Sequence, residues 1–599
     1  MMKKISRRSF LQASGLAAAA AALTACGGSG TGSDKATAAN TAHEPITIMD
    51  AQRDYTNFLA LLHEQYPEIH VEIVPYCGNN TTAYMSKQLR TGILPDIYTT
   101  TQAWDGAWQK DGLIDLSQYA VSDQFNEVRM NDTDVDGANY LLPYDYVLLS
   151  LGCNQTLFEK HGWQVPRSFA ELKALVPQIK AAGVELCTCQ LNLPGFGFQY
   201  FCNVADTLFL NAISGLQWQQ DFLAGAVTAS GSPEMQEAKD YFQEWIDLGI
   251  LNSDQANMSR TDCFSHFAEG NTAFYVGTLS RYTQNEDGTG DRYVCLPYLS
   301  PDGADNCYIL QNSRYYGLNK HLAEPGNEQK LEDALHFLEL LASMEGYGAI
   351  IGNTSTVLCA LRDFQLDETS PYFDALENIN NGHSAPMIYT GWEGYIVPFG
   401  NSVISWIKGE CTGDDALNVL DDQQTYMRKN GQATVYAQVT EELDNEQTTK
   451  LIAMMALDQT DADAALISRN VWYPEVNANQ ENNQGVNGTM LPGDLTEEDI
   501  VINLPTGWGS NLQKLTLTGA RLKELAAAGY DRNSNGLPYP YLLLTRDGKE
   551  LADDQTYTFI CCGCTDAVGE EGHAEDTGIL DAAKAYFSKL GTISPETVA

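Results

Sequence analysis

From Pro45 onward the chain switches between two hydrophobic periods. Ile46-Thr-Ile-Met49 reads as a strand, and Arg53 to Tyr66 carries Phe58, Leu61, Leu62 and Tyr66 at helical spacing. Ile69-His-Val-Glu-Ile-Val74 alternates with period two, Thr82 to Arg90 reads as a polar helix, and Asp96-Ile-Tyr-Thr-Thr-Thr101 as a third strand. This strand-helix-strand-helix-strand order predicts a parallel sheet with helices on both faces. Later helices carry start signals. Ser168-Phe-Ala-Glu171 has the form of a capping box ahead of Leu172, Leu175 and Ile179. Ser232-Pro233 supplies an N-cap and an N1 proline before Ala238, Tyr241, Phe242 and Trp245. Leu331, Ala334, Leu335, Leu338 and Leu341 form another apolar stripe.

After Arg428-Lys-Asn-Gly431 the pattern changes. Leu451, Met454, Met455 and Leu457 mark a helix, followed by Ala462-Asp-Ala-Ala-Leu466-Ile467. The Asn/Gln/Glu-rich, apolar-poor stretch from Asn477 to Asn487 reads as a loop. Leu512 to Thr518 alternates as a strand, and Thr518-Gly519 opens a helix through Leu522 and Leu525. Tyr541-Leu-Leu-Leu-Thr545 and Tyr557-Thr-Phe-Ile-Cys561 read as strands on either side of an Asp547-Gly548 turn.

With 599 residues, 44% of them hydrophobic and 10% aromatic, the chain can bury several cores, and wholesale disorder is excluded. Charge narrows the partners. Lys and Arg total 35 against 78 Asp and Glu, for a net charge of −43. Lys3, Lys4, Arg7 and Arg8 precede any acid, so the rest of the chain is four charges more negative still. Such a surface repels phosphate backbones and anionic headgroups, which argues against nucleic acid as a partner.

Those four basic residues lead into an apolar run from Leu16 to Leu23, too short for the roughly 20 residues of a membrane-spanning helix. A basic start, a short apolar core and small residues describe an export signal over residues 1–25. Arg7-Arg8-Ser-Phe10-Leu11 resembles a twin-arginine signal. Leu23-Thr-Ala-Cys26 resembles a lipobox, which implies that Cys26 becomes the acylated first residue of the mature chain. The Gly/Ser/Thr/Ala-rich stretch within 26–44 suits a flexible tether. The expected location is therefore the outer face of the cytoplasmic membrane, reached by export and held by lipid.

Other chemistry is thin. Cys187-Thr-Cys189 and Cys561-Cys562-Gly-Cys564 lack a nearby His at ligand spacing, which leaves buried thiols or disulfides. Asp132 to Gly137 and Asp531 to Gly536 imitate calcium loops, but Pro143 and Leu542 stand where the bidentate Glu belongs, so ordinary Asx turns compete. The mature body has no Walker A loop, His-Glu-x-x-His or Gly-x-Ser-x-Gly. No catalytic residue, metal site or cofactor is expected.

Five segments together resemble the extracellular solute-binding proteins of ABC importers. They are Asp136-Gly-Ala-Asn-Tyr140-Leu-Leu-Pro143-Tyr144, Cys153-Asn154 to Gly162, Pro166-Arg-Ser-Phe169-Ala-Glu-Leu172, Phe267-Ala-Glu-Gly270-Asn-Thr-Ala273-Phe274 and Tyr316-Gly-Leu-Asn-Lys320. The resemblance covers 45–428. It implies a two-lobed, periplasmic-binding-protein-like α/β fold of type II, closing on a ligand and delivering it to permease subunits. In doubly wound sheets the ligand sits outside the carboxyl ends of strands, which points to the loops after Met49 and Thr101. A carbohydrate needs aromatic platforms and planar hydrogen-bonding groups. The candidate ligand-binding residues are Asp50, Arg53, Trp104, Tyr144 and Asp145 on one lobe and Tyr275, Trp392 and Tyr395 on the other.

Residues 436–599 hold segments that resemble the C-terminal domain of the 5′-nucleotidase family, an α+β unit. These are Ala462-Asp463-Ala-Ala-Leu466, Gly493-Asp494-Leu-Thr496, Ser510 to Lys523 and Asp554-Gln-Thr-Tyr557. In that family the domain holds a nucleoside base between aromatic rings, and here Trp472, Tyr473 and Trp508 could stack. The family's arginine-bearing segment is replaced by Asn470 to Pro474, and its Gly-Gly-Asp-Gly-Tyr segment by Asp566 to Gly572. Its metal-binding Asp-x-His and Gly-Asn-His signatures occur nowhere. The expectation is a non-enzymatic, lipid-anchored receptor for a small solute, a carbohydrate, with an accessory domain. The alternatives are a surface hydrolase or nucleotide-processing protein, and a purely interacting surface protein.

Overall fold

Ile46 and Ile48 are fully buried on one face of the strand Ile46–Ile48, with Thr47 between them partly exposed. The strand pairs in parallel with Val71–Ile73 and, through Ile48 opposite Ile97, with Ile97–Thr100. Helices Thr56–Gln65 and Thr81–Thr91 make the crossovers, so residues 46–100 form the parallel unit the periodicity predicts. The first helix begins three residues after Arg53. Asp54 Oδ1 captures the amide and hydroxyl of Thr56 at 2.9 and 2.6 Å, which leaves Arg53 on the connecting segment. This computed structural model describes residues 43–50, 53–74, 81–101, 103, 108–253, 260–279, 290–352, 357–388, 391–430, 434–470, 485–486, 488–505, 511–529, 539–562 and 573–599. Cys26 lies outside them.

Two long antiparallel strands, Leu142–Asn154 and Tyr308–Leu318, join the 46–100 unit to the strands between 185 and 277. At one end Tyr315 to Leu318 pair with Thr100 to Ile97. At the other, Ser150 to Cys153 pair with Gly277 to Phe274 on Thr272–Gly277, whose parallel neighbour is Glu185–Cys189. Across the described residues the order is 71–73, 46–48, 97–100, 308–318, 142–154, 272–277, 185–189. The pairing of 308–318 with 142–154 is irregular on both sides of Arg314, where one strand carries an extra residue.

Two apolar cores flank these crossing strands. Tyr55, Phe58, Leu62, Tyr144, Tyr316, Phe337 and Leu338 belong to one. Leu149, Leu151, Leu172, Phe198, Phe222, Trp245 and Leu420 belong to the other. The helix Phe169–Ala181 is capped by Ser168, which accepts from the Glu171 amide at 3.2 Å, but the Glu171 carboxylate reaches back to the amide of Arg167 at 2.7 Å. The box is thus offset by one residue. Helix Pro233–Leu248 starts on the Ser232 cap and ends at Gly249, whose φ of 89° is the left-handed turn that glycine allows.

Residues 437–598 build a core of their own, from Leu451, Ile452, Met455, Ile467, Ile560, Ala583 and Phe587. Strands Tyr541–Thr545 and Thr556–Cys561 do not pair as a hairpin across Asp547-Gly548. Each pairs with Ala464–Arg469 instead, one antiparallel and one parallel, and Leu542 and Leu544 face one core while Leu543 faces another. Among the described residues no helix is long and apolar enough to cross a membrane.

Candidate functional site

The carboxyl end of Ile46–Ile48 places Asp50 and Arg53 beside the irregular crossing of the two long strands. Asp50 has no exposure. Its Oδ1 accepts from Arg314 Nη1 at 2.9 Å and its Oδ2 from the Tyr55 hydroxyl at 2.9 Å. Tyr55 and Tyr316 share a hydroxyl hydrogen bond of 2.7 Å. Arg53 Nη2 donates to Asp145 Oδ2 at 2.7 Å, and Arg314 stands opposite Asp145 in the sheet. Two carboxylates and two guanidinium groups therefore close a neutral network at the crossing.

Burial raises the Asp145 carboxyl above the ordinary carboxylate range, although Arg53 and Arg314 oppose it. Burial alone would depress the Arg53 guanidinium, but the charges of Asp145 and Asp50 outweigh it and hold the group above its ordinary value. Tyr55 and Tyr316 are raised by desolvation and by Asp50, so both stay neutral hydrogen-bonding groups. Among the described residues, Asp145 Oδ1 and Arg53 Nε are buried with no hydrogen-bond partner. A buried acceptor and a buried donor without partners are expensive to leave so, and suit a polar ligand or ordered water.

Solvent reaches the strand Leu142–Asn154 at one residue only: every member is buried except Val147. Val147 stands opposite Gln311, on the strand that carries Arg314. The extra residue at the irregularity allows Gln311 and Arg314 to reach the same face. Gln311 Nε2 donates to Gln199 Oε1 at 2.9 Å, and Gln199 Nε2 lies 2.9 Å from Met387 Sδ. Gln190 follows the carboxyl end of Glu185–Cys189 and donates to Asn192 Oδ1 at 2.6 Å. The Gln311 amide, with Gln199 behind it, thus stands next to the charge network. Amides supply both donors and acceptors in a plane, the inventory that hydroxyl-rich molecules match.

Of the residues expected at the site, Asp50, Arg53 and Asp145 are brought together. Trp104 lies outside the described residues, as do Trp472, Tyr473 and Trp508. Four expectations need correction. Tyr144 has 0% exposure and alternates away from Asp145, packing edge-on against Tyr316 and Tyr347. Tyr275 stacks on Phe267 in the same core. Trp392 lies parallel to Phe222, with centroids 5.3 Å apart and planes 2° apart, and its Nε1 donates to Gln219 Oε1 at 3.3 Å. Tyr395 packs against that stack at a tilt, 5.7 Å from Phe222 with planes 57° apart. Tyr144 and Tyr275 are buried in one core, and Trp392 and Tyr395 in the other.

Arg314, Gln311 and Gln199 were not anticipated. Gln311-Asn-Ser-Arg314 is a polar interruption inside an otherwise apolar strand, and that was the available signal. The loop at Asp132 to Gly137 is a hairpin. Asp134–Val135 pairs with Ala138–Asn139 around Asp136 and Gly137, both with positive φ. Asp132 pairs with Arg129 at 2.9 Å, and Asp136 with Lys110. Cys153, Cys187, Cys202, Cys295 and Cys307 are buried thiols, whereas Cys561 is disulfide-bonded.

Comparison with known proteins gives a consistent picture. The sequence profile described as "Bacterial extracellular solute-binding protein" matches residues 59–370, and that of the twin-arginine translocation signal matches 4–24, which indicates export. No curated protein matches by sequence. Among solved structures, a family 1 extracellular solute-binding protein from Bifidobacterium longum subsp. infantis aligns at a TM-score of 0.51 and 15% identity. The alignment covers 64% of this chain and 99% of the other. The binding protein MsmE of Bacillus subtilis, in an open conformation, aligns at 0.55 and 15%, covering 65% and 99%. The bacterial solute receptor AcbH, described with an exclusive preference for β-D-galactopyranose, aligns at 0.50 and 15%, covering 65% and 99%. At these identities the likeness establishes the fold.

Proposed function

The chain belongs to the bacterial extracellular solute-binding proteins, and from that premise we propose that it captures a carbohydrate between two lobes and delivers it unchanged to an ABC importer. The observation that carries this reading is the juxtaposition, at the crossing of strands 142–154 and 308–318, of a neutral Asp/Arg network with the Gln311 and Gln199 amides. A network with no net charge has little to gain from an ionic solute, and its two buried unpartnered atoms suit hydroxyls. The galactopyranose preference of AcbH, which shares the fold, supports the same class. Contacts on both lobes would favour the closed arrangement only when a solute bridges them.

In this reading the fold is of type II, Cys26 carries the lipid, residues 26–44 are the tether, and the body lies at the outer face of the membrane. The domain from 436 onward is a non-enzymatic accessory unit related to the C-terminal domain of 5′-nucleotidases. The direct test is a thermal-shift panel of mono- and oligosaccharides, peptides and nucleosides on the mature protein. A sugar at 100 times its Kd adds about 2.7 kcal/mol of stability. A shift with sugars alone supports the reading; a shift with nucleosides alone, or consumption of the added sugar, contradicts it.

A further inference from the structure

The C-terminal domain packs against the helix Thr81–Thr91 and shares its apolar cluster. Leu491 and Ile502, at 5% and 2% exposure, share one apolar cluster with Tyr84, Met85 and Leu89 of the helix Thr81–Thr91. The same cluster holds Met49, which precedes Asp50, and Tyr315, which follows Arg314. The two residues that make the central ion pair are thus each one peptide bond from a side chain that the C-terminal domain helps to bury. Polar contacts fix the register of this seam. Lys87 Nζ donates to the carbonyl of Asp494 at 2.8 Å and lies 3.1 Å from Asp499 Oδ1. Both side chains of that ion pair are at most 10% exposed. Asp499 is held by its own capping box, accepting from the Thr496 amide and hydroxyl at 2.9 and 2.7 Å. The Tyr84 hydroxyl meets Thr489 Oγ1 at 2.7 Å.

The polypeptide, however, enters this domain from the opposite lobe. Helix Gly413–Asn430 puts Leu417 and Leu420 in the second core, and Gln424 Nε2 donates to the carbonyl of Val227 at 2.8 Å. Only residues 431–436 separate Asn430 from the strand Ala437–Val439. A fully extended chain across that gap reaches about 25 Å at roughly 3.6 Å per residue.

We propose that the C-terminal domain is a strap: a fixed part of the first lobe, tied to the second by a short connection, that braces the Asp50–Arg314 pair from behind and limits how far the lobes part. Leu491 and Ile502 are then positioning residues for the cleft, acting through Met49 and Tyr315. The proposal rests on the two-lobed receptor reading.

The test uses the mature full-length protein and two variants that break the seam from opposite sides. Ile502→Asp puts a charge into the cluster, and Lys87→Glu opposes Asp499 without altering the C-terminal domain. Amide hydrogen exchange should speed up at least tenfold in residues 81–91 of both variants, with residues 233–248 unchanged, and small-angle scattering should show a larger radius of gyration. Unchanged exchange at 81–91 in Lys87→Glu overturns the seam, whatever Ile502→Asp does to its own domain. Faster exchange without expansion overturns the strap. Neither readout requires a solute, so failure of the strap is distinct from failure of sugar to bind the parent protein.

Discussion

Arg53 Nη2 donates to Asp145 Oδ2 across 2.7 Å, joining the segment after the first strand to a strand that runs between the two lobes. Asp145 has no side-chain exposure and Arg53 keeps 16%, so the carboxylate is the member trapped in the interior. Removing one partner of a buried pair leaves an uncompensated charge and costs about 3–5 kcal/mol.

Arg314→Met should therefore destabilise the protein by about 3 kcal/mol or more, because Asp50 is fully buried and loses its guanidinium. Arg53→Met should cost less, since Arg314, which stands opposite Asp145, still faces the carboxylate it leaves behind. Denaturant unfolding monitored by tryptophan fluorescence ranks the two. Equal, sub-kcal effects would mean that the network is not structural.

Trp392→Ala should cost about 3–5 kcal/mol of stability, and Trp392→Phe distinctly less, because the ring is 5% exposed and stacked on Phe222. Were Trp392 a sugar platform instead, alanine would abolish binding with little loss of stability. Paired melting and sugar titrations separate the two outcomes.

Asp206 gives a pH signature. It lies in the second lobe, where among the described residues its buried Oδ2 has no hydrogen-bond partner, and desolvation pushes its pKa from 3.8 up to about 8. The folded protein keeps this proton up to pH 8, whereas the unfolded chain gives it up near pH 4. Stability from this group is thus fully present below pH 4 and is lost as pH rises towards 8, at about 1.4 kcal/mol per pH unit. Asp206→Asn should flatten that slope and gain over the parent as pH rises. Parallel slopes for parent and variant in urea melts at pH 5, 6, 7 and 8 would contradict this.

Burial also raises the thiols of Cys153, Cys187, Cys202 and Cys295, which keeps them out of the thiolate form. A maleimide added to native protein should spare these four and modify all of them after denaturation. Peptide mass mapping reads the result, and native labelling of any of the four would refute their burial.

The first unit was legible because its residues obey local rules: Ile46 and Ile48 alternate, and Ser232-Pro233 starts a helix with its own side chain and ring. Asp50 and Arg53 followed from the rule that ligands collect beyond strand ends. Arg314 did not, because its importance comes from an irregular pairing with a strand far away in the chain. Tyr144 and Trp392 misled for the same reason. Each ring meets a partner distant in the chain, Tyr347 edge-on for Tyr144 and Phe222 face-on for Trp392. The strand Tyr541–Thr545 was found, but its partner was not, since a turn does not decide which edge a strand joins.

The most direct test is small-angle scattering of the mature protein with and without the sugar that stabilises it most in the thermal-shift panel. Closure of two lobes around the solute predicts a smaller radius of gyration at saturation, with the sugar recovered unaltered by chromatography. A saturated protein with an unchanged scattering profile, or a sugar recovered in pieces, would contradict the account.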